Sequence, residues 1–163
     1  MRGYQPCRRK CDSCINFVDR VDSFRCHATG KVFKIHKAIT CTTPNVVYMA
    51  YCTKCKKQAV GSTEEWKPRL RNYKSHIKRH VYSCSIAKHF IDDCPGDEEN
   101  PSKHLRFVLL DYVDNVSPDE CQNILLEKEK FWIGSICAIH KGLNGYHDWR
   151  RTKRVQKFKI GDW

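Results

Sequence analysis

Cysteine placement constrains this chain more than any other feature. Cys7, Cys11 and Cys14 form a C-x3-C-x2-C run in a polar stretch, a spacing that lets neighbouring thiolates converge on one tetrahedral zinc ion. A fourth ligand must come from downstream. Cys41 or Cys26 can supply it once a hairpin folds back, and Cys41 is preferred. A second knuckle, Cys52 and Cys55 in C-x2-C spacing, needs two more ligands from His76, His80, Cys84 and His89. His76 and His89 are the assigned pair, His89 being the firmer because it stands beside apolar Phe90. Cys121 and Cys137 fall in the apolar pattern of the last helix and read as core. The total of 11 cysteines is odd and cannot pair completely. No run of about 18 apolar residues occurs and no apolar leader follows Met1, so the expectation is a soluble intracellular chain whose thiols serve as metal ligands. Two structural zinc ions and no membrane partner are expected.

The charge balance points to a polyanion. Lysine and arginine outnumber aspartate and glutamate by 30 to 18, for a formal net charge of +12, and such a field gathers nucleic acid. The charge is concentrated. Lys67, Arg71, Lys74, Lys78 and Arg79 share one expected helix with almost no acidic neighbours after Glu65. Arg8, Arg9 and Lys10 add to it, as does a basic tail containing Arg150, Arg151, Lys153, Arg154, Lys157 and Lys159. Thr29-Gly30-Lys31 lacks the upstream glycine of a phosphate loop, so nucleotide binding there is discounted.

At 163 residues the chain has room for one principal domain of ordinary size. Residues 1–43 read as a Cys-rich arm with a hairpin, Ser23 to Cys26 turning at Thr29-Gly30 and returning through Val32 to Ile35. Residues 44–148 read as the main domain and 149–163 as a basic tail. Val46 to Tyr51 is a β-branched and aromatic run suited to a central strand, with a short partner at Gln58 to Gly61. Ser62 and Thr63 then read as the cap of a helix running to about Val81. A third strand spans His104 to Tyr112, and Ser117-Pro118-Asp119-Glu120 opens a second helix ending near Ile139.

Phosphodiester hydrolysis needs a way to generate hydroxide, a cation facing the phosphorane, and usually a carboxylate holding that cation. Tyr48 lies on the first central strand, Gly61 closes Ala59-Val60-Gly61 on the second, and Arg69 and Tyr73 stand four apart on the first helix. Glu129 precedes Phe131-Trp132-Ile133 on the last helix, and Asn144 ends Gly142-Leu143-Asn144. Read singly, Tyr48 is a packed strand aromatic, Glu129 a surface partner for lysines and Asn144 a turn residue. Their order gives them weight. V-V-Y, A-V-G-S-T, R-x-R-N-Y-K-S, K-E-K-F-W-I and G-L-N resemble the motif series of GIY-YIG endonucleases over residues 45–145. With the N-terminal cysteine run, T-G-K-V-F-K-I, the C-x2-C between the tyrosine motifs and the later H-F, nearly the whole chain is similar to the endonuclease module of Penelope-like retroelements.

That resemblance implies an α+β fold, a small three-stranded antiparallel sheet flanked by helices with the zinc-bound arm in front. It implies DNA as substrate and a single Mg or Mn ion bound through Glu129. Tyr48 would help deprotonate water, Arg69 would hold the scissile phosphate, Asn144 would support the site, and Tyr73 would stand where many relatives carry histidine. It also implies a 3′ hydroxyl that primes reverse transcription, hence an RNA template, an associated reverse transcriptase domain and a nuclear location. Ala59 departs from the pattern, occupying the place of the second tyrosine. A methyl group neither donates a hydrogen bond nor orients water, so binding with poor cutting is expected. The rival readings are a non-enzymatic zinc-finger module for nucleic acid and a zinc-organised interaction domain for acidic proteins.

Overall fold

The computed structural model describes residues 1–139 and 141–145; the basic tail expected at 149–163 lies outside them. The arm begins with β1, Gly3–Gln5, and continues through a π-helical turn at Ser13–Phe17 into the hairpin β2, Ser23–Arg25, and β3, Val32–Lys34. It returns in β4, Ala38–Thr40, which pairs parallel with β1 so that Tyr4 lies opposite Ile39. The hairpin stands where the sequence places it, with Phe24 and Phe33 stacked across it at 5.5 Å.

β5, Val46–Cys52, is the middle strand of a three-stranded antiparallel sheet, between β6, Gln58–Thr63, and β7, Leu105–Tyr112. This is the α+β arrangement expected from the sequence. Val46 to Ala50 are all buried, which explains the unbroken apolar run: a strand covered on both faces has no solvent side to alternate with. Ser62 and Thr63 do not cap a helix as expected. They continue β6, pairing with Val47 and Val46, because the ladder satisfies backbone groups that a cap would have to redirect.

α1, Trp66–Lys78, starts after Glu65 and buries Trp66, Leu70, Tyr73 and Ile77 on one face. It stops short of Val81. His80 takes a left-handed φ of 54°, and the Val81 amide turns back to the His76 carbonyl at 2.8 Å, a C-terminal closure of the Schellman kind. α2, Ser85–Lys88, and a π-helical turn at His89–Asp93 follow. α3, Pro118–Ser135, opens as expected, with Pro118 in its first turn and the Ser117 hydroxyl accepting the Glu120 amide at 3.4 Å. It ends before Ile139, since Cys137 is left-handed at φ 53°. Cys121 is buried as expected, whereas Cys137 lies beyond the helix and is only half-buried. The buried stripe of α3 is Cys121, Leu125, Glu129 and Ile133, so a carboxylate occupies a core position. No helix among the described residues is long and apolar enough to cross a membrane.

The arm lies against β7. Val18 bridges Phe107, and Asp19 receives Arg106 at 2.5 Å and the Tyr51 hydroxyl at 2.5 Å. Farther along β7, Asp111 bonds both Lys37, at 2.9 Å, and Lys128, at 2.5 Å.

Candidate functional site

A pocket of about 190 Å³ opens where α1 meets β5, β6 and α3, with Tyr48, Arg69, Tyr73, Glu129 and Asn144 all in its lining. Five residues selected for their order in the chain therefore meet around one space. Tyr48 reaches it because Gly61 stands opposite in the ladder: a Cβ at Gly61 would come within 2.6 Å of the phenol oxygen. The ring is wedged among Trp66, Tyr73 and Phe107 at centroid distances of 5.2, 6.3 and 5.8 Å. Its hydroxyl bonds that of Tyr73 at 2.7 Å. Burial pushes the Tyr48 phenol up to about 12, against the lowering effects of the Arg69 charge and the Tyr73 hydrogen bond. The Tyr73 phenol is held well above its ordinary value, again chiefly by burial and next by Tyr48. Both phenols therefore carry their protons near neutral pH.

Glu129 is 1% exposed, and its carboxylate accepts the Ser62 hydroxyl. Asn144 holds the edge of β6: its side-chain oxygen accepts the Val60 amide at 2.7 Å and its side-chain nitrogen donates to the Val60 carbonyl at 2.8 Å. The preceding Leu143 amide bonds the Gln58 carbonyl at 2.9 Å. Gly142 permits this approach, because a Cβ there would lie 2.1 Å from the same carbonyl. Ala59 is placed differently. It pairs with Ala50, shares the Tyr48 face of the sheet, is fully buried, and is absent from the pocket lining.

The first cysteine group is the expected one, Cys7, Cys11, Cys14 and Cys41, with all four sulfurs within 4.8 Å of one another. Cys11 to Cys14, Cys7 to Cys14 and Cys11 to Cys41 measure 3.5, 3.6 and 3.8 Å. A tetrahedron with zinc–sulfur bonds of about 2.3 Å sets sulfurs about 3.8 Å apart, so the group fits zinc. Cys26, the alternative fourth ligand, is buried elsewhere, facing the Ile136 carbonyl at 3.6 Å. The Cys11 amide is the main reason that Cys7 is lowered to about 6, whereas burial raises Cys41 to about 12.

The second group corrects the sequence reading. Its members are Cys52, Cys55, His89 and Cys94, so Cys94 takes the place assigned to His76. His76 lies on α1, in the lining of the pocket, with its Nδ1 2.7 Å from the Ser83 hydroxyl, because the helix that carries it turns that face toward Tyr48 and Tyr73 and not toward the cysteine group. His80 and Cys84 are exposed and outside the group as well. His89 opens the π-helical turn and Cys94 follows its last residue, with His89 Nε2 3.4 Å from the Cys55 sulfur and Nδ1 3.2 Å from Asp93. A carboxylate behind a ligating imidazole is the usual outer support of a zinc site.

Of the basic residues on α1, Arg71, Lys78 and Arg79 are exposed and Lys67 is half-buried. Lys74 is engaged within the chain. It bonds Asp12 at 2.5 Å and sits 5.0 Å from the Phe17 ring centre, fastening α1 to the arm, because its long stem reaches the turn packed alongside. Asn72, Ser62, Ser83 and Cys84 also line the pocket and were not selected from sequence. Nothing local marks them, whereas His76 could have been found: three residues beyond Tyr73 and seven beyond Arg69, it shares their helical face.

No protein-family model matches the chain, and no curated protein matches it. Among solved structures, a mutant of the catalytic domain of intron endonuclease I-TevI is similar, with 16% identity and a TM-score of 0.47, covering 61% of this chain and 92% of that one.

Proposed function

We propose that this chain is a DNA endonuclease of the GIY-YIG kind that nicks a phosphodiester bond and leaves a 3′ hydroxyl. The observation that carries the reading is convergence: a strand phenol, a helix guanidinium and a core carboxylate from three separate elements line one pocket. Arg69 is the group that grips the scissile phosphate. The Tyr48 and Tyr73 phenols, holding their protons, donate hydrogen bonds to a phosphate oxygen or to the attacking water and fix its line of approach. Asn144 acts at one remove by pinning β6.

A buried single carboxylate beside an open space suits a hard divalent ion such as Mg or Mn, which keeps most of its waters; Glu129 would hold it. Bound there, the ion would supply charge neutralisation at the phosphoryl oxygens. The two cysteine-rich groups serve as structural zinc sites. Exposed Arg71, Lys78 and Arg79 track the DNA backbone beside the pocket, and their contribution falls steeply with salt as counterions are released. In keeping with the wider resemblance, the 3′ hydroxyl would prime reverse transcription by an associated reverse transcriptase on an RNA template, in the nucleus.

Ala59 lowers the rate. A missing positioned phenol costs about a hundred- to ten-thousandfold. Nicking of supercoiled plasmid with Mg or Mn tests the reading: Glu129→Gln and Arg69→Ala should abolish the residual cutting, and Ala59→Tyr should raise it. Equal rates for the parent and Ala59→Tyr would remove the argument from position 59. Metal-independent binding with no nicking in any variant would instead leave a zinc-braced nucleic-acid binder, a second reading that Ala59 itself favours.

A further inference from the structure

His76, first assigned to zinc, lines the pocket within the same helical face as Arg69 and Tyr73. Three features hold it there. Its carbonyl accepts the Val81 amide at 2.8 Å, the chain reverses at His80, and the reversal brings Ser83 back so that its hydroxyl lies 2.7 Å from Nδ1. A ring nitrogen engaged in this way selects the tautomer of the other. The Ser83 hydroxyl donates toward the Cys84 sulfur at 3.9 Å, so its oxygen can accept from Nδ1–H, and in that tautomer Nε2 is the ring nitrogen that carries the lone pair.

We infer that His76 is the general base of this pocket, accepting at Nε2 a proton from the attacking water while Ser83 fixes the imidazole. This rests on the nuclease reading. The phenols are poor candidates for the task, both being held protonated by burial, and Glu129 is engaged by Ser62. The step balances: the water oxygen joins phosphorus, one water proton passes through Nε2 to solvent, the P–O3′ bond breaks, and the departing O3′ takes a proton from solvent.

The test uses the zinc-loaded protein and its His76→Ala and His76→Gln variants, with plasmid nicking in Mg or Mn, DNA retention on a filter, metal content and the thermal midpoint measured together. Nicking should fall about a hundredfold or more, while retention, metal content and midpoint stay at parental values. Added imidazole should restore part of the His76→Ala rate. Independently of activity, nitrogen shifts of labelled histidine should show His76 as the Nδ1–H tautomer, and Ser83→Ala should erase that preference. Parental nicking by both variants, or an Nε2–H tautomer in the parent, overturns the assignment alone. A parent protein that holds both zinc ions yet nicks with neither metal, in either the native or the Ala59→Tyr background, overturns the nuclease reading and this assignment with it.

Discussion

The two cysteine-rich groups have similar inner geometry and different surroundings. Cys7, Cys11, Cys14 and Cys41 all belong to the arm, and their outer partners are neutral: the Cys7 amide faces the Cys14 sulfur at 3.3 Å, the Cys11 amide the Cys7 sulfur at 3.5 Å, and the Tyr4 hydroxyl the Cys14 sulfur at 3.0 Å. Four thiolates around one divalent ion carry net negative charge, which N–H and O–H donors offset. Cys52, Cys55, His89 and Cys94 replace one thiolate by imidazole and place Asp93 behind it. The first group organises a segment whose own strands are three residues long. The second ties the end of β5 to a turn already packed on the core through Phe90. A metal held by the first group would thus nucleate its region, whereas one held by the second would only brace a region already packed.

Metal removal gives the largest contrast. Structural zinc contributes an apparent 10–16 kcal/mol in small domains, more than the arm's short strands can replace. Exhaustive chelation should therefore abolish amide-exchange protection across residues 7–41 while β5 and β7 retain most of theirs. Equal loss in both regions would mean that the second group also nucleates its surroundings. Next in size is Cys94→Ser, which should lower bound zinc from two ions per chain to one, whereas His76→Ala should leave two. Elemental analysis reads both outcomes, and loss of an ion on His76→Ala would contradict the ligand set.

The same contrast explains what the sequence discloses. The first three cysteines are close along the chain, so spacing alone brings them together, and Cys41 follows from a hairpin whose strands are also local. Cys94 is remote from Cys52 and stands before Pro95 in an acidic loop, and its position depends on a π-helical turn that breaks ordinary helical periodicity. The central strands and Ser117 were legible because β-branched and aromatic composition and helix capping act within a few residues. Ser62 and Thr63 were misread because a local capping preference competes with ladder pairing to β5, and only the tertiary structure decides that contest. For the pocket, Tyr48, Arg69, Tyr73, Glu129 and Asn144 were found by their order, whereas Ser83 arrives through a chain reversal at His80 that no motif announces.

Asp93→Asn sharpens the comparison at smaller amplitude. The carboxylate bonded to His89 orients the ring and raises its basicity, and losing such a partner typically weakens metal affinity about ten- to a hundredfold. Competition with a chromophoric chelator should show that loss at the second group only. An unchanged affinity would mean that burial of His89 among Phe90 and its neighbours already fixes the ring.

Tyr4→Phe should give the smallest effect and isolates the neutral outer shell of the first group. The Tyr4 phenol is raised well above its ordinary value by burial first and by its bond to Cys14 second, so it remains protonated, and a metal-bound thiolate can only accept. The phenol must then be the donor. Removing it keeps the ring packed beside Ile39 in the β1–β4 pair and deletes one hydrogen bond to a charged acceptor, worth about 1.5–3 kcal/mol at most. The remaining amide donors absorb part of that loss, so metal affinity at the first group should fall no more than about tenfold, with the second group untouched. A drop as large as that of a cysteine substitution would show that the amides alone cannot support four thiolates, making Tyr4 as necessary to the arm as its ligands.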